Sequence, residues 1–142
     1  MIGIIVTGHG HFADGLLSAA EVIVGKQENL IAVNFPAGDT SENLHKKIEQ
    51  AVKQMNCPEI LILADISGGT PFNQSVLVSN KSNCKCKVFS GTNIPVLLEA
   101  IFSRACNDIN VMAKSLLESE QAKLQLFAEV NREKQVQSAG GI

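Results

Sequence analysis

In the run Thr7-Gly8-His9-Gly10-His11 an imidazole stands between two glycines, directly after the apolar stretch 1–7. Neither neighbour has a side chain to cover the ring, so His9 lies open to a ligand if that stretch is a strand of a parallel sheet. Loop position alone suits a histidine packed against a helix end equally well, because histidine is intermediate in burial. A second residue tips the balance. Asp65 closes another apolar stretch, 60–65, and in an open α/β sheet the carboxyl ends of the strands share one crevice. A carboxylate that accepts an N–H from one ring nitrogen fixes the tautomer and leaves the other nitrogen as a nucleophile. No serine or cysteine nucleophile stands out beside the pair, and Ser67 reads as a loop hydrogen-bonder. The imidazole is then the group that forms a covalent intermediate with an acyl or phosphoryl group. Ser67, Gly68, Gly69 and Thr70 follow Asp65 and lead into a helix start, where backbone N–H groups favour a phosphoryl dianion. Phosphoryl transfer through His9, oriented by Asp65, fits this inventory.

Other chemistries fit less well. The glycines lack the Gly-Lys-Ser or Gly-Lys-Thr of a nucleotide-binding loop, and Gly8-His9-Gly10-His11 is not a dinucleotide fingerprint, since the second strand ends in Asn34-Phe35 without an acidic residue. A metal held by His9, His11, Asp14 and Asp65 would rest on alternating loop histidines alone, which is weak ground, so no metal and no cofactor is expected. Cys84-Lys85-Cys86 has no second Cys or His pair at zinc spacing and reads as ordinary strand-edge cysteine. His45 is expected to be solvated on the polar side of its helix.

The elements that must position these residues are legible in outline. Residues 1–7, 30–35, 60–65 and 86–90 are short, rich in Ile, Val and Leu, and bounded by Gly, Pro, Asp or Asn, which predicts buried parallel strands. Leu44, Ile48, Ala51, Val52 and Met55 fall at helical spacing, with Asp39 and Glu42 as a capping box. Thr70 is expected to cap a helix running to about Ser79 with Pro71 at its first position, and Asn93 to start one running to about Arg104. A further helix should run from Asp108 to about Glu118, while residues 122–128 read as either helix or strand. Strands alternating with helices predict an α/β fold, an open, mostly parallel sheet with helices on both faces. The loops to watch are then 8–15, 36–40, 65–71 and 91–95.

A length of 142 residues allows one domain, taken as 1–130, with a polar tail at 131–142. The formal charge is −2 without a basic block that could carry phosphate-backbone binding, and without Trp or Tyr the usual platforms for base stacking are missing; no nucleic acid partner is expected. No apolar run reaches the roughly 18 residues of a membrane span, and nothing signals secretion, so a cytoplasmic protein with reduced cysteines is expected.

Three motifs in order, Ile4-Ile5-Val6-Thr7-Gly8-His9-Gly10, Leu63-Ala64-Asp65-Ile66-Ser67-Gly68-Gly69-Thr70-Pro71-Phe72-Asn73 and Ser90-Gly91-Thr92-Asn93-Ile94-Pro95, resemble the enzyme IIA components of the mannose family of the bacterial phosphoenolpyruvate-dependent sugar phosphotransferase system. The resemblance implies that His9 accepts a phosphoryl group from the histidine-containing phosphocarrier protein and passes it to a IIB component, with Asp65 orienting the ring. Membrane IIC and IID components are implied as indirect partners, with the subunit peripherally associated with that complex. It also implies a homodimer that exchanges a C-terminal strand antiparallel at the sheet edge, which would account for residues 122–128. His11 stands where relatives often carry an aromatic residue. The chain ends at Ile142, so a separate IIB polypeptide is expected, and the overall look leans towards the N-acetylgalactosamine branch. Two other readings compete: the phosphotransfer subunit of a dihydroxyacetone kinase, which shares the histidine but usually lacks the Thr-Pro-Phe-Asn ending, and a regulatory module of the same fold that senses an anion without turnover.

Overall fold

The computed structural model describes residues 1–128; the tail expected at 131–142 lies outside the described residues. Strand and helix alternate as β1 (Gly3–His9), α1 (Phe12–Val24), β2 (Leu30–Phe35), α2 (Ser41–Met55), β3 (Glu59–Ala64), α3 (Thr70–Lys81), β4 (Lys85–Phe89), α4 (Ile94–Ser103) and α5 (Ile109–Glu118), with 3₁₀ turns at Arg104–Cys106 and Glu120–Ala122. The four strands are all parallel in the order β2-β1-β3-β4.

The sheet is covered on both faces, so its central strands read as unbroken apolar runs rather than as an alternation. Ile2, Ile4 and Val6 of the first strand region, with Leu61 and Leu63 of β3, pack against α1, α4 and α5. Ile5, Ile60 and Ile62 point the other way, into a second core built with α2 and α3. Ile4, Ile5 and Leu61 are all fully buried, and each such side chain contributes about 1.5–3 kcal/mol. Close packing on the α2 side depends on Gly3, where a Cβ would sit 2.0 Å from Met55 Sδ.

Local chemistry sets the helix starts, in places differently from expectation. The cap of α2 is Thr40, whose Oγ1 accepts from Asn43 N at 3.1 Å; Asp39 instead accepts from Thr40 N and from Lys47 Nζ. Gly69, not Thr70, is the N-cap of α3, so Thr70 and Pro71 both fall inside the first turn. Asn93 and Asp108 cap α4 and α5 through their side chains. The stretch expected as a loop, 8–15, is reduced to Gly10 and His11: β1 runs to His9 and α1 begins at Phe12, because Gly10 turns the chain at φ +59° immediately after β1. Beyond Ala122 the described residues 123–128 form no strand within this chain, and Leu124, Leu126 and Phe127 are exposed there.

Candidate active site

Strand order reverses between β1 and β3, where the chain goes to β2 on one side and to β4 on the other. Such a switch point opens a crevice at the carboxyl ends of its two strands, because the crossover helices on either side leave to opposite faces. His9 is the last residue of β1 and Asp65 the first after β3, so the two flank that crevice.

One carboxylate oxygen binds both ends of the histidine. Asp65 Oδ2 accepts from the His9 backbone N–H at 2.9 Å and lies 2.7 Å from His9 Nδ1, while Oδ1 accepts from Ile66 N at 2.9 Å. Partial burial pushes the Asp65 carboxyl up, but the His9 N–H, the His9 ring and the Ile66 N–H outweigh it and hold the group below its ordinary value of 3.8. An ionised carboxylate only accepts, so the ring nitrogen it meets carries the proton, and in the neutral ring the lone pair is then on Nε2. The aspartate side chain is 12% exposed and the histidine 47%, so the carboxylate is largely enclosed while the ring stays open to solvent. Phe35 closes one side of the ring edge-on, with centroids 5.8 Å apart.

The Asp65–Thr70 loop brings the start of α3 against the other side. Gly68 takes φ +74°, a conformation that favours glycine, and Asn73 Nδ2 donates to its carbonyl at 3.1 Å. At Gly69 a Cβ would lie 2.9 Å from His9 Cε1 and 3.6 Å from Nε2, so the missing side chain is what lets the helix start approach the ring. The first-turn N–H groups of Thr70 and Phe72 have no intrahelical acceptor, and they sit at the positive end of the α3 dipole. Ser67 Oγ pairs with Ser90 Oγ at 2.7 Å. The arrangement provides a lone pair on an open imidazole, a fixed proton on its far side and an electropositive helix start beside it. That is the equipment for carrying a dianionic group on nitrogen.

Other residues singled out from the sequence sit elsewhere. His11 is not paired with His9; its Nδ1 lies 3.4 Å from Asn34 Nδ2, and Asn34 also binds Asp14, so those three form a separate rim cluster at the end of β2. Among the described residues no group of three or more His, Cys, Asp or Glu is gathered to hold a metal ion. His45 is partly buried rather than solvated, because Gln74 of α3 reaches its Nδ1 at 2.9 Å across the α2–α3 contact. Cys84 and Cys86 pack against the α2–α3 core as free thiols. Phe35, by contrast, carries no sequence signal of its own as a site residue. Only the pairing of β2 beside β1 brings it to the ring, since Phe35 is in register with His9.

The family model described as "PTS system fructose IIA component" matches residues 3–117. The chain is 33% identical over 130 residues to the PTS system fructose-specific EIIA component of Bacillus subtilis, covering 91% of this chain and 88% of that protein. It is 35% identical over 105 residues to the PTS system mannose-specific EIIAB component of Escherichia coli, covering 72% of this chain and 32% of that longer protein. A crystal structure of phosphotransferase system component EIIA from Streptococcus agalactiae superposes with a TM-score of 0.79 at 37% identity, over 86% of this chain and 92% of the other. None of these three names N-acetylgalactosamine, the branch towards which the sequence leans. No helix of the described residues is long and apolar enough to cross a membrane.

Proposed function

The chain belongs to the mannose-type IIA family of the sugar phosphotransferase system, whose members carry phosphoryl groups in sugar uptake, and from that premise we propose that His9 is the group that carries them here. The Nε2 lone pair attacks the phosphorus of a phosphohistidine on the histidine-containing phosphocarrier protein. The P–N bond to the donor breaks as the bond to Nε2 forms, and the donor imidazole leaves with the electron pair. The proton on His9 Nδ1 stays in place, and Asp65 balances the positive charge that the ring acquires. The three oxygens come to rest against the Gly69-Thr70 start of α3, and the same steps in reverse deliver the group to a IIB component. No cofactor takes part. The observation that carries this reading is the 2.7 Å contact of Nδ1 with Asp65, which leaves Nε2 as the free nitrogen beside the helix start.

Residues 1–130 serve as the IIA domain in this reading, and the subunit is a cytoplasmic phosphotransferase that meets the membrane IIC and IID components only through IIB. It works as a homodimer in which residues 122–128 pair antiparallel with the partner's sheet edge. Two features support the dimer: β4 has a strand on one side only among the described residues, and Leu124, Leu126 and Phe127 expose apolar surface that a lone subunit leaves in water. A groove of about 710 Å³, lined by Ile23, Pro95, Leu98 and Phe102, is bordered by residues 119–121, which lead into that segment. Exchange of an identical element closes such a dimer symmetrically.

Incubation with phosphoenolpyruvate, enzyme I and the phosphocarrier protein tests the central claim. Intact mass should rise by one phosphoryl group in the wild type and not in His9→Ala, while His11→Ala is modified normally. Full modification of His9→Ala would refute the assignment, and an unmodified wild-type protein would favour an anion sensor of the same fold.

A further inference from the structure

The motif Ser90-Gly91-Thr92-Asn93 is the part of the chain that the histidine chemistry leaves unused: none of its side chains hydrogen-bonds to His9 or to the Asp65 carboxylate. It grips instead the peptide that carries Asp65. The β3–β4 ladder ends at Leu63 paired with Phe89, which would leave the next two carbonyls of the β3 chain without partners. Gly91, at φ +78°, bends the chain back across them. Its N–H donates to the Asp65 carbonyl at 2.9 Å, and Thr92 puts two donors on the Ala64 carbonyl, the N–H at 3.2 Å and Oγ1 at 2.7 Å.

The Thr92 hydroxyl is more than that carbonyl needs. One N–H already satisfies the Ala64 oxygen, yet a buried side chain, 8% exposed, supplies a second and shorter bond. Two donors on one oxygen fix the direction of the C=O and therefore the plane of the Ala64–Asp65 peptide. Asp65 Oδ2 hangs from that peptide and has to meet two atoms of His9 at once, at 2.9 and 2.7 Å, so a small rotation of the plane detunes both contacts together. We propose that Thr92 is a positioning residue for phosphoryl transfer: its hydroxyl, acting through the Ala64 carbonyl, holds Asp65 where it keeps the proton on His9 Nδ1 and Nε2 free. This deepens the reading of His9 as nucleophile and rests on it.

Two variants and two readouts test the idea. Thr92→Val keeps the branched shape and the N–H but lacks the hydroxyl; Thr92→Ser keeps the hydroxyl and loses a methyl group. Phosphoryl transfer from the phosphocarrier is followed by rapid quench across phosphocarrier concentrations, since misplacement of a catalytic group by a fraction of an ångström lowers the chemical step rather than partner binding. Thr92→Val should lower the saturated rate about tenfold with an unchanged KM, and Thr92→Ser should stay within about twofold of wild type. In ¹⁵N spectra of the unphosphorylated protein, the His9 ring should be a uniform Nδ1–H tautomer in wild type and Thr92→Ser, and an averaged mixture in Thr92→Val. The tautomer readout needs no phosphoryl donor, so it separates this proposal from the identity of the nucleophile, which His9→Ala decides. A wild-type rate and tautomer in Thr92→Val would overturn the role of Thr92. So would equal rate losses in both variants that track their loss of stability in urea, because a merely structural residue behaves that way.

Discussion

Replacing Gly69 with alanine probes the approach of α3 to the histidine with a single carbon atom. The new Cβ would lie 2.9 Å from His9 Cε1 and 3.3 Å from Ile66 Cγ1. Carbon atoms in contact sit about 3.5–4.0 Å apart, so the ring or the helix start has to move by about 0.6 Å or more. The ring is held by a single contact, Nδ1 to Asp65, with the backbone N–H of His9 on the same oxygen, whereas α3 is anchored by the buried Pro71, Ser75 and Val78, so the strain falls on the geometry of the site. A misplacement of about 1 Å at a reacting group lowers a rate up to about 100-fold, which puts the expected loss of phosphoryl acceptance at about 10- to 100-fold. Stability should hardly change. Gly69 has φ −78° and ψ 166°, which alanine adopts without strain, and the stiffer unfolded chain returns about 0.4–1 kcal/mol against the local crowding. Rapid-quench transfer from the phosphocarrier and urea unfolding on the same preparation measure the two quantities. A folded Gly69→Ala protein that accepts the phosphoryl group at the wild-type rate would show that the start of α3 does not receive it.

Four further expectations follow. Asp65→Asn keeps the acceptor for the His9 N–H but can donate to the ring and reverse its tautomer, so acceptance should slow by up to about 10⁴-fold, and equal rapid-quench rates would reduce Asp65 to a structural role. The folded Asp65 pKa lies below its ordinary value of 3.8, so the stability it supplies is complete above that value and lost as pH falls through the lower folded one; the wild-type advantage over Asp65→Asn in urea should be flat between pH 5 and 7 and shrink below 3.8. Thr7 Oγ1 is buried without a hydrogen-bond partner among the described residues, so Thr7→Val should raise stability by about 1 kcal/mol, and a loss of that size would mean the hydroxyl is satisfied. Truncation after Glu118 should convert a dimer into aggregating or unfolded protein by light scattering and circular dichroism, and a soluble monomer that still accepts phosphate would sink the exchanged strand.

Much of the site was legible because its parts depend on short-range chemistry. Glycines flank His9, Asp65 ends an apolar run and Gly68-Gly69 precedes a proline, and each of these carries its physical reason within a few residues. The parallel strands were equally visible, since burial on both faces makes β1 and β3 continuous Ile and Leu runs. Caps were less so. Asp39, Thr40, Gly69 and Thr70 are all acceptable cap residues by type, and the choice of Thr40 and Gly69 depends on Lys47 claiming Asp39 and on the turn at Gly68. Strand order lay beyond sequence periodicity altogether. Only the order β2-β1-β3-β4 sets Phe35 against the His9 ring, leaves His11 with Asn34, and lays Gly91 and Thr92 over the carbonyls before and at Asp65. Those contacts join residues far apart in the chain, and a pattern of side-chain types along the sequence does not record which edge a strand will pair with. The candidate pair His9 and Asp65 could therefore be read from the sequence, while the residues packed and hydrogen-bonded around that pair were decided by the tertiary fold.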